Sequence, residues 1–181
     1  MSSTNIRQPD IVGQETLERI SAAHHFNNWM FNSIKPFCKG HVLEAGCGIG
    51  NISRLLIKNK FQVSLSDYSE QYFDILREQF DNNNQVEGIH RVDLAVENFE
   101  SSYPHLLQKF DTIIAMNVVE HIFNDHLAIR NCRKMLRTGG HIIILVPAYQ
   151  ALFNSFDKEL VHFRRYNKKT LTKLFTDENF E

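Results

Sequence analysis

The stretch Glu44-Ala45-Gly46-Cys47-Gly48-Ile49-Gly50-Asn51 constrains this chain more than any other. It follows the short run His41-Val42-Leu43 and precedes Ile52, Leu55 and Leu56 at helical spacing, so it reads as a strand-to-helix turn. Alternating glycines belong where the backbone turns tightly and approaches a ligand with no Cβ in the way. The expected turn faces its N–H groups outward with the positive end of the helix behind them, a setting for an anionic or polar ligand edge. The dinucleotide fingerprint requires Gly-x-Gly-x-x-Gly, and Asn51 stands where its last glycine should be. That disfavours NAD, and the lack of a following Gly-Lys-Ser/Thr disfavours a P-loop.

Beyond this turn, short apolar runs alternate with helical patterns. Strands are expected at His41 to Glu44, Phe61 to Ser66, Val86 to Arg91, Phe110 to Met116 and His141 to Val146. Helical spacing links them at Ile52/Leu55/Leu56, at Tyr72/Phe73/Leu76/Phe80 and from Leu127 to Leu136, and a last helix is expected from about Lys168 to Asp177. The alternation implies an α/β fold around a parallel sheet. Gly139-Gly140 reads as the turn into the fifth strand, whose run Ile142 to Val146 suits burial on both faces. Between Ile11 and Phe37 the apolar residues keep a helical period, predicting one or two helices that end near Pro36.

Composition narrows the class. With 181 residues, 43% hydrophobic and 23% charged, the chain can build a full core without staples. Cys38, Cys47 and Cys132 are odd in number and lack Cys-x-x-Cys spacing, which argues against disulfides or a zinc ribbon and for a reducing cytoplasm. The longest purely aliphatic run is far shorter than the roughly 18 residues of a membrane span, and no signal-peptide segment opens the chain. A net charge of −1 gives no field for nucleic acid, although Lys158 to Lys173 is locally basic.

The Glu44-x-Gly46-x-Gly48-x-Gly50 pattern resembles motif I of the class I S-adenosylmethionine (SAM)-dependent methyltransferases, and four further segments strengthen the resemblance. Asp67 matches the acid that accepts from the two ribose hydroxyls, with Tyr68 beside it as a wall for the adenosine or a plain surface aromatic. Asp93-Leu94 is similar to the pair at the adenine, and Asn117-Val118-Val119-Glu120-His121 to the motif after the fourth strand that lines the SAM and substrate sites. Leu136-Arg137-Thr138-Gly139-Gly140 resembles the lead into the fifth strand. The resemblance implies a Rossmann-like doubly wound sheet in the order 3-2-1-4-5, with a helical cap at residues 1–38 and a SAM-binding domain at 39–181. Glu44, Gly46, Cys47, Gly48, Gly50, Asp67, Tyr68, Asp93, Leu94 and Asn117 are its implied cofactor residues. Read without a ligand, Asp67 is a helix-start carboxylate with Ser69 as N-cap, Asp93 a solvated loop acid, and Cys47 a small loop filler.

On the substrate side, His121 next to Glu120 is the candidate for orienting or deprotonating an acceptor hydroxyl, or else a helix-start histidine bonded to backbone. The segment from Phe156-Asp157 to His162-Phe163-Arg164-Arg165-Tyr166-Asn167 resembles one that covers the substrate in the type 11/12 branch of these enzymes. That makes His162, Arg165 and Tyr166 candidates for a hydroxylated or acidic small molecule. In the plainer reading the arginines are a solvated face and Tyr166 a hydrophobic staple. Some ubiquinone-pathway O-methyltransferases carry an acid at the place of Asn117 and associate the set with a divalent metal; Asn117 weakens it here, and no metal is expected.

These readings predict methyl transfer from SAM to a small-molecule acceptor, by O-methylation. The alternatives are a non-catalytic SAM-binding or partner-dependent subunit and, further off, an NAD oxidoreductase. The family's sixth and seventh strands find no counterpart, so a fragment is expected, or a homodimer, other partner or N-terminal segment covering the fifth-strand edge.

Overall fold

The computed structural model describes residues 11–181. Two helices lead the chain, α1 (Ile11–Ala22) and α2 (His24–Ile34), and a 3-10 turn at Lys35–Phe37 follows. The alternating body then runs β1 (His41–Ala45), α3 (Asn51–Lys58), β2 (Gln62–Asp67), α4 (Glu70–Phe80), β3 (Val86–Arg91) and the short α5 (Phe99–Ser102). It continues through β4 (Phe110–Met116), α6 (Asp125–Met135), β5 (Leu136–Leu145), the short α7 (Ser155–Glu159) and α8 (Lys168–Asp177).

All strand pairs are parallel, in the order β3-β2-β1-β4-β5. The order reverses at β1, so the crevice beyond the carboxyl ends of β1 and β4 is where such a sheet receives ligands. Strand alternation splits the core into two layers. Val42, Val63, Leu65 and Ile114 face Phe31 and Ile34 of α2, Leu56 of α3 and Leu76 and Phe80 of α4. Leu43, Phe110, Ile113 and Ala115 face Phe99 and the buried stripe Ala128, Cys132 and Met135 of α6. α8 has an Asn167/Thr170 capping box at its start and buries Leu174 with Ile129 and Val119.

β5 departs from the expected boundaries. Leu136 already pairs with Phe110, and the register then jumps so that His141 meets Thr112. Residues 137–140 form an irregular stretch inside the strand where a turn was expected, and Gly139 carries its positive φ of 80°. β5 lies at the sheet's edge with Ile142 to Val146 half-buried between the helices of both faces. No helix among the described residues is long and apolar enough to cross a membrane.

Candidate active site

The glycine turn sits at the end of β1. Gly46 and Gly48 have φ of 73° and 53°, left-handed values that an L side chain adopts at a cost. A Cβ on Gly46 would overlap Val118, and one on Gly48 would lie 2.8 Å from Leu17 Cδ1 of α1. The turn's N–H groups do not face outward as expected. Those of Gly46 and Cys47 donate to Ser66 O at 2.8 and 3.0 Å, Gly48 N–H donates to Asp67 Oδ2 at 2.8 Å, and Gly50 N–H donates to Cys47 O at 2.9 Å. The tip of β2 lies alongside and takes these donors, so the turn is fastened to β2 and is no phosphate cradle.

Glu44 turns to the α3 side of the sheet, where Ser53 Oγ donates to its Oε2 at 2.5 Å. Burial pushes its carboxyl up to about 7, against the Ser53 bond that favours the ionised form. The Cys47 thiol donates to Glu44 O at 3.3 Å, and burial pushes it well above its usual range, which keeps it protonated and unreactive.

Asp67 is buried at the end of β2, and its Oδ1 accepts from Ser69 N–H at 2.9 Å. Ser69 is the N-cap residue of α4 but makes no side-chain cap bond. Tyr68 beside it is 46% exposed, and its carbonyl accepts from Arg91 Nε at 3.2 Å. Past β3, Asp93 Oδ1 accepts from Ala95 N–H at 2.8 Å and Asp93 N–H donates to Tyr103 Oη at 3.0 Å. Leu94 is buried. Asn131 of α6 holds this turn from beneath, its Nδ2 donating to Leu94 O at 2.8 Å and Val96 O at 2.9 Å. Sequence reasoning missed Asn131; an amide inside the apolar stripe of α6 was the available signal.

Asn117 follows β4 with φ of 56°, a conformation asparagine tolerates. Its N–H donates to Leu145 O at 2.8 Å and its Nδ2 to Glu120 Oε1 at 3.1 Å. Glu120 is fully buried, and burial, helped by the charge of Asp157, pushes its carboxyl up to about 7 against the Asn117 bond. His121 is exposed, and its ring meets that of His162 edge-on at 4.5 Å between centroids. The two segments are pinned together by Phe163 N–H donating to Glu120 O at 2.8 Å.

Asp157 organises the later segment. Its Oδ1 lies 3.0 Å from His162 Nδ1, and Arg165 Nε and Nη2 donate to Oδ1 and Oδ2, both at 2.8 Å. The Arg165 guanidinium holds the Asp157 carboxyl well below the usual carboxylate range. Arg165, expected to face substrate, is therefore engaged inside the protein. Tyr166 is buried with Leu171, Leu174 and Ile129, and its hydroxyl donates to Asp125 Oδ2 at 2.8 Å. Standing just before the Asn167 cap of α8, it follows the staple reading and lies beneath the surface expected to meet substrate. The donors drawn together are thus Glu120, His121 and His162, with Asp157 and Asn117 behind them.

A family model described as "Methyltransferase domain" matches residues 43–142. The chain is 24% identical over 176 residues to a probable S-adenosylmethionine-dependent methyltransferase of Mycobacterium tuberculosis, covering 94% of this chain and 61% of that protein. It is 27% identical over 124 residues to the ubiquinone biosynthesis O-methyltransferase of Proteus mirabilis, covering 66% of this chain and 48% of the relative. The chain thus spans about three-fifths or less of the length of these relatives. In fold it is similar to a Haemonchus contortus phosphoethanolamine N-methyltransferase solved with S-adenosylhomocysteine, with a TM-score of 0.72 at 18% identity, over 97% of this chain and 43% of that one.

Proposed function

The chain belongs to the class I S-adenosylmethionine-dependent methyltransferases, and from that footing we propose that it transfers the methyl group of SAM to a small-molecule acceptor by O-methylation. One observation carries the reading: the acid at the end of β2 is fastened to the glycine turn through Gly48, so that both stand together at the carboxyl ends of β1 and β2, the side on which such a sheet receives ligands. The bonded N–H groups of the turn suit a ligand without a pyrophosphate there, which favours a sulfonium nucleoside over NAD.

In this reading Asp67 takes the ribose diol, since a carboxylate offers paired acceptors to two hydroxyls. Tyr68 walls the adenosine, Asp93 and Leu94 take the adenine, Gly46 to Gly50 take the methionine end, and Asn117 floors the crevice near the sulfonium. Glu44 and Cys47 act from behind the turn, through Ser53 and the packing of β1. Bound SAM supplies a methyl group whose sulfonium leaves as a neutral thioether.

The protein's task is alignment and exclusion of water, and positioning of this kind supplies roughly 7–11 kcal/mol of barrier reduction. Leu17 of α1 against Gly48 supports reading the helices ahead of β1 as part of a cap at residues 1–38, with residues 39–181 as the SAM-binding domain. His121 and His162 stand on the acceptor side, with Glu120 beside them. The resemblance to a ubiquinone biosynthesis O-methyltransferase supports oxygen as the attacked atom. A second copy of the chain along β5 would cover the edge of the sheet.

The test is a transfer screen with methyl-labelled SAM over small hydroxylated and acidic metabolites. Label must appear in an acceptor with the natural protein and fall at least tenfold with Asp67→Ala. Transfer that survives the substitution unchanged would contradict the placement of SAM.

A further inference from the structure

The donors after β4 were one short of a metal set in the sequence, and the fold brings in the third. Ligand atoms of Glu120, His121 and His162 all lie within 4.8 Å of one another. Glu120 is fully buried, yet its Oε2 has no hydrogen-bond partner among the described residues. A buried carboxylate oxygen left in this state is uncommon and marks a place where a cation fits. Two of the three donors are held from behind. Asn117 Nδ2 holds Glu120 Oε1 at 3.1 Å, and Asp157 Oδ1 sits 3.0 Å from His162 Nδ1. The Asp157 contact assigns the proton to Nδ1 and the lone pair to Nε2, the carboxylate–histidine arrangement that orients metal-binding imidazoles. Asp157 is itself fixed by both Arg165 bonds and by Asn154 N–H at 2.9 Å.

We propose that Glu120, His121 and His162 bind one divalent transition-metal ion of the zinc, manganese or iron(II) class. Two imidazoles with one carboxylate favour such ions over magnesium or calcium, which prefer all-oxygen sets. Asn117 is a support in this site and not a ligand, and His162 supplies the donor that an acid at position 117 would otherwise give. Three protein ligands leave coordination places open. His121 is the exposed member, so the open side faces solvent and the acceptor. The use of the ion in methyl transfer rests on the function proposed above, but its binding does not.

The experiment titrates chelator-treated full chain with Co²⁺, read by visible absorption, with S-adenosylhomocysteine calorimetry on the same samples. The site predicts saturation at one Co²⁺ per chain, displacement by Zn²⁺, and at least tenfold weaker binding in both His121→Ala and His162→Gln. Asp157→Asn weakens it roughly 10- to 100-fold, as loss of an orienting partner does. His121 is exposed in a turn, so its substitution leaves the core untouched and is the deciding variant. Equal Co²⁺ binding by natural protein and His121→Ala overturns the site, and displacement by equimolar Mg²⁺ overturns the class of ion. Calorimetric heat with no cobalt spectrum sinks the metal site and leaves the SAM reading standing; a His121-dependent spectrum without that heat supports the site and counts against the SAM reading.

Discussion

Gly48 N–H donates to Asp67 Oδ2 at 2.8 Å, which locks the turn after β1 to the tip of β2. The bond depends on Gly48 holding a left-handed φ of 53° with Leu17 packed where a Cβ would go. Gly48→Ala is expected to cost about 1–2 kcal/mol for that conformation. In a domain of this size the melting temperature should fall by roughly 2–8 °C. A thermal melt checks the drop, and S-adenosylhomocysteine calorimetry should show weaker binding in the same variant.

Asn131 holds the Asp93–Leu94 turn through the carbonyls of Leu94 and Val96. Asn131→Leu leaves two inner carbonyls without that donor, at about 1–3 kcal/mol for each buried group left unsatisfied. Urea denaturation should show a loss of a few kcal/mol. If this turn takes the adenine, adenosine affinity falls as well although Asn131 reaches the ligand only through backbone.

Glu44 gives a pH dependence with a definite sign. Its carboxyl rises from an ordinary 4.5 to about 7 in the folded protein, so the folded state holds a proton that the unfolded state has released between those values. Its contribution to stability is fully present below 4.5 and is lost as pH rises through 7. Glu44→Gln removes this loss, so its stability relative to the natural protein should improve from pH 5 to pH 8. Paired urea titrations at the two pH values check it.

Asp157 holds His162 and Arg165 on the acceptor side. Asp157→Asn should lower methyl transfer by roughly 10- to 100-fold, the range for losing an orienting partner. Affinity for S-adenosylhomocysteine should stay the same, since the Asp67 crevice is elsewhere. Steady-state kinetics beside calorimetry separates the two effects.

The period of the apolar residues made much of the fold legible. β3, β4 and α8 begin and end where the sequence places them. β5 begins earlier than its sequence implies, since Gly139-Gly140 has the composition of a turn, whereas Leu136 pairs with Phe110 before the register slips. Local spacing reports local conformation and carries nothing about a partner strand that tolerates an irregular register. The site divides in the same way. The glycines from Gly46 to Gly50 stand out because the chemistry of a strand-end turn is written in neighbouring positions, and Asp67 through the resemblance. The meeting of His162 with Glu120 and His121, the grip of Asp157 on Arg165 and the support from Asn131 are contacts between distant segments. Such contacts leave no spacing to read. The inward turn of the N–H groups of Gly46, Cys47 and Gly48 is illegible for the same reason, because Ser66 and Asp67 reach them from another strand.

The most direct measurement is isothermal calorimetry of the full chain with SAM and with S-adenosylhomocysteine, repeated on Asp67→Ala at a temperature where both are folded. The account predicts saturable one-to-one binding by the natural protein and a loss of at least tenfold, about 1.4 kcal/mol, in the variant. No heat from either ligand, or equal affinity with and without the Asp67 carboxylate, would contradict it.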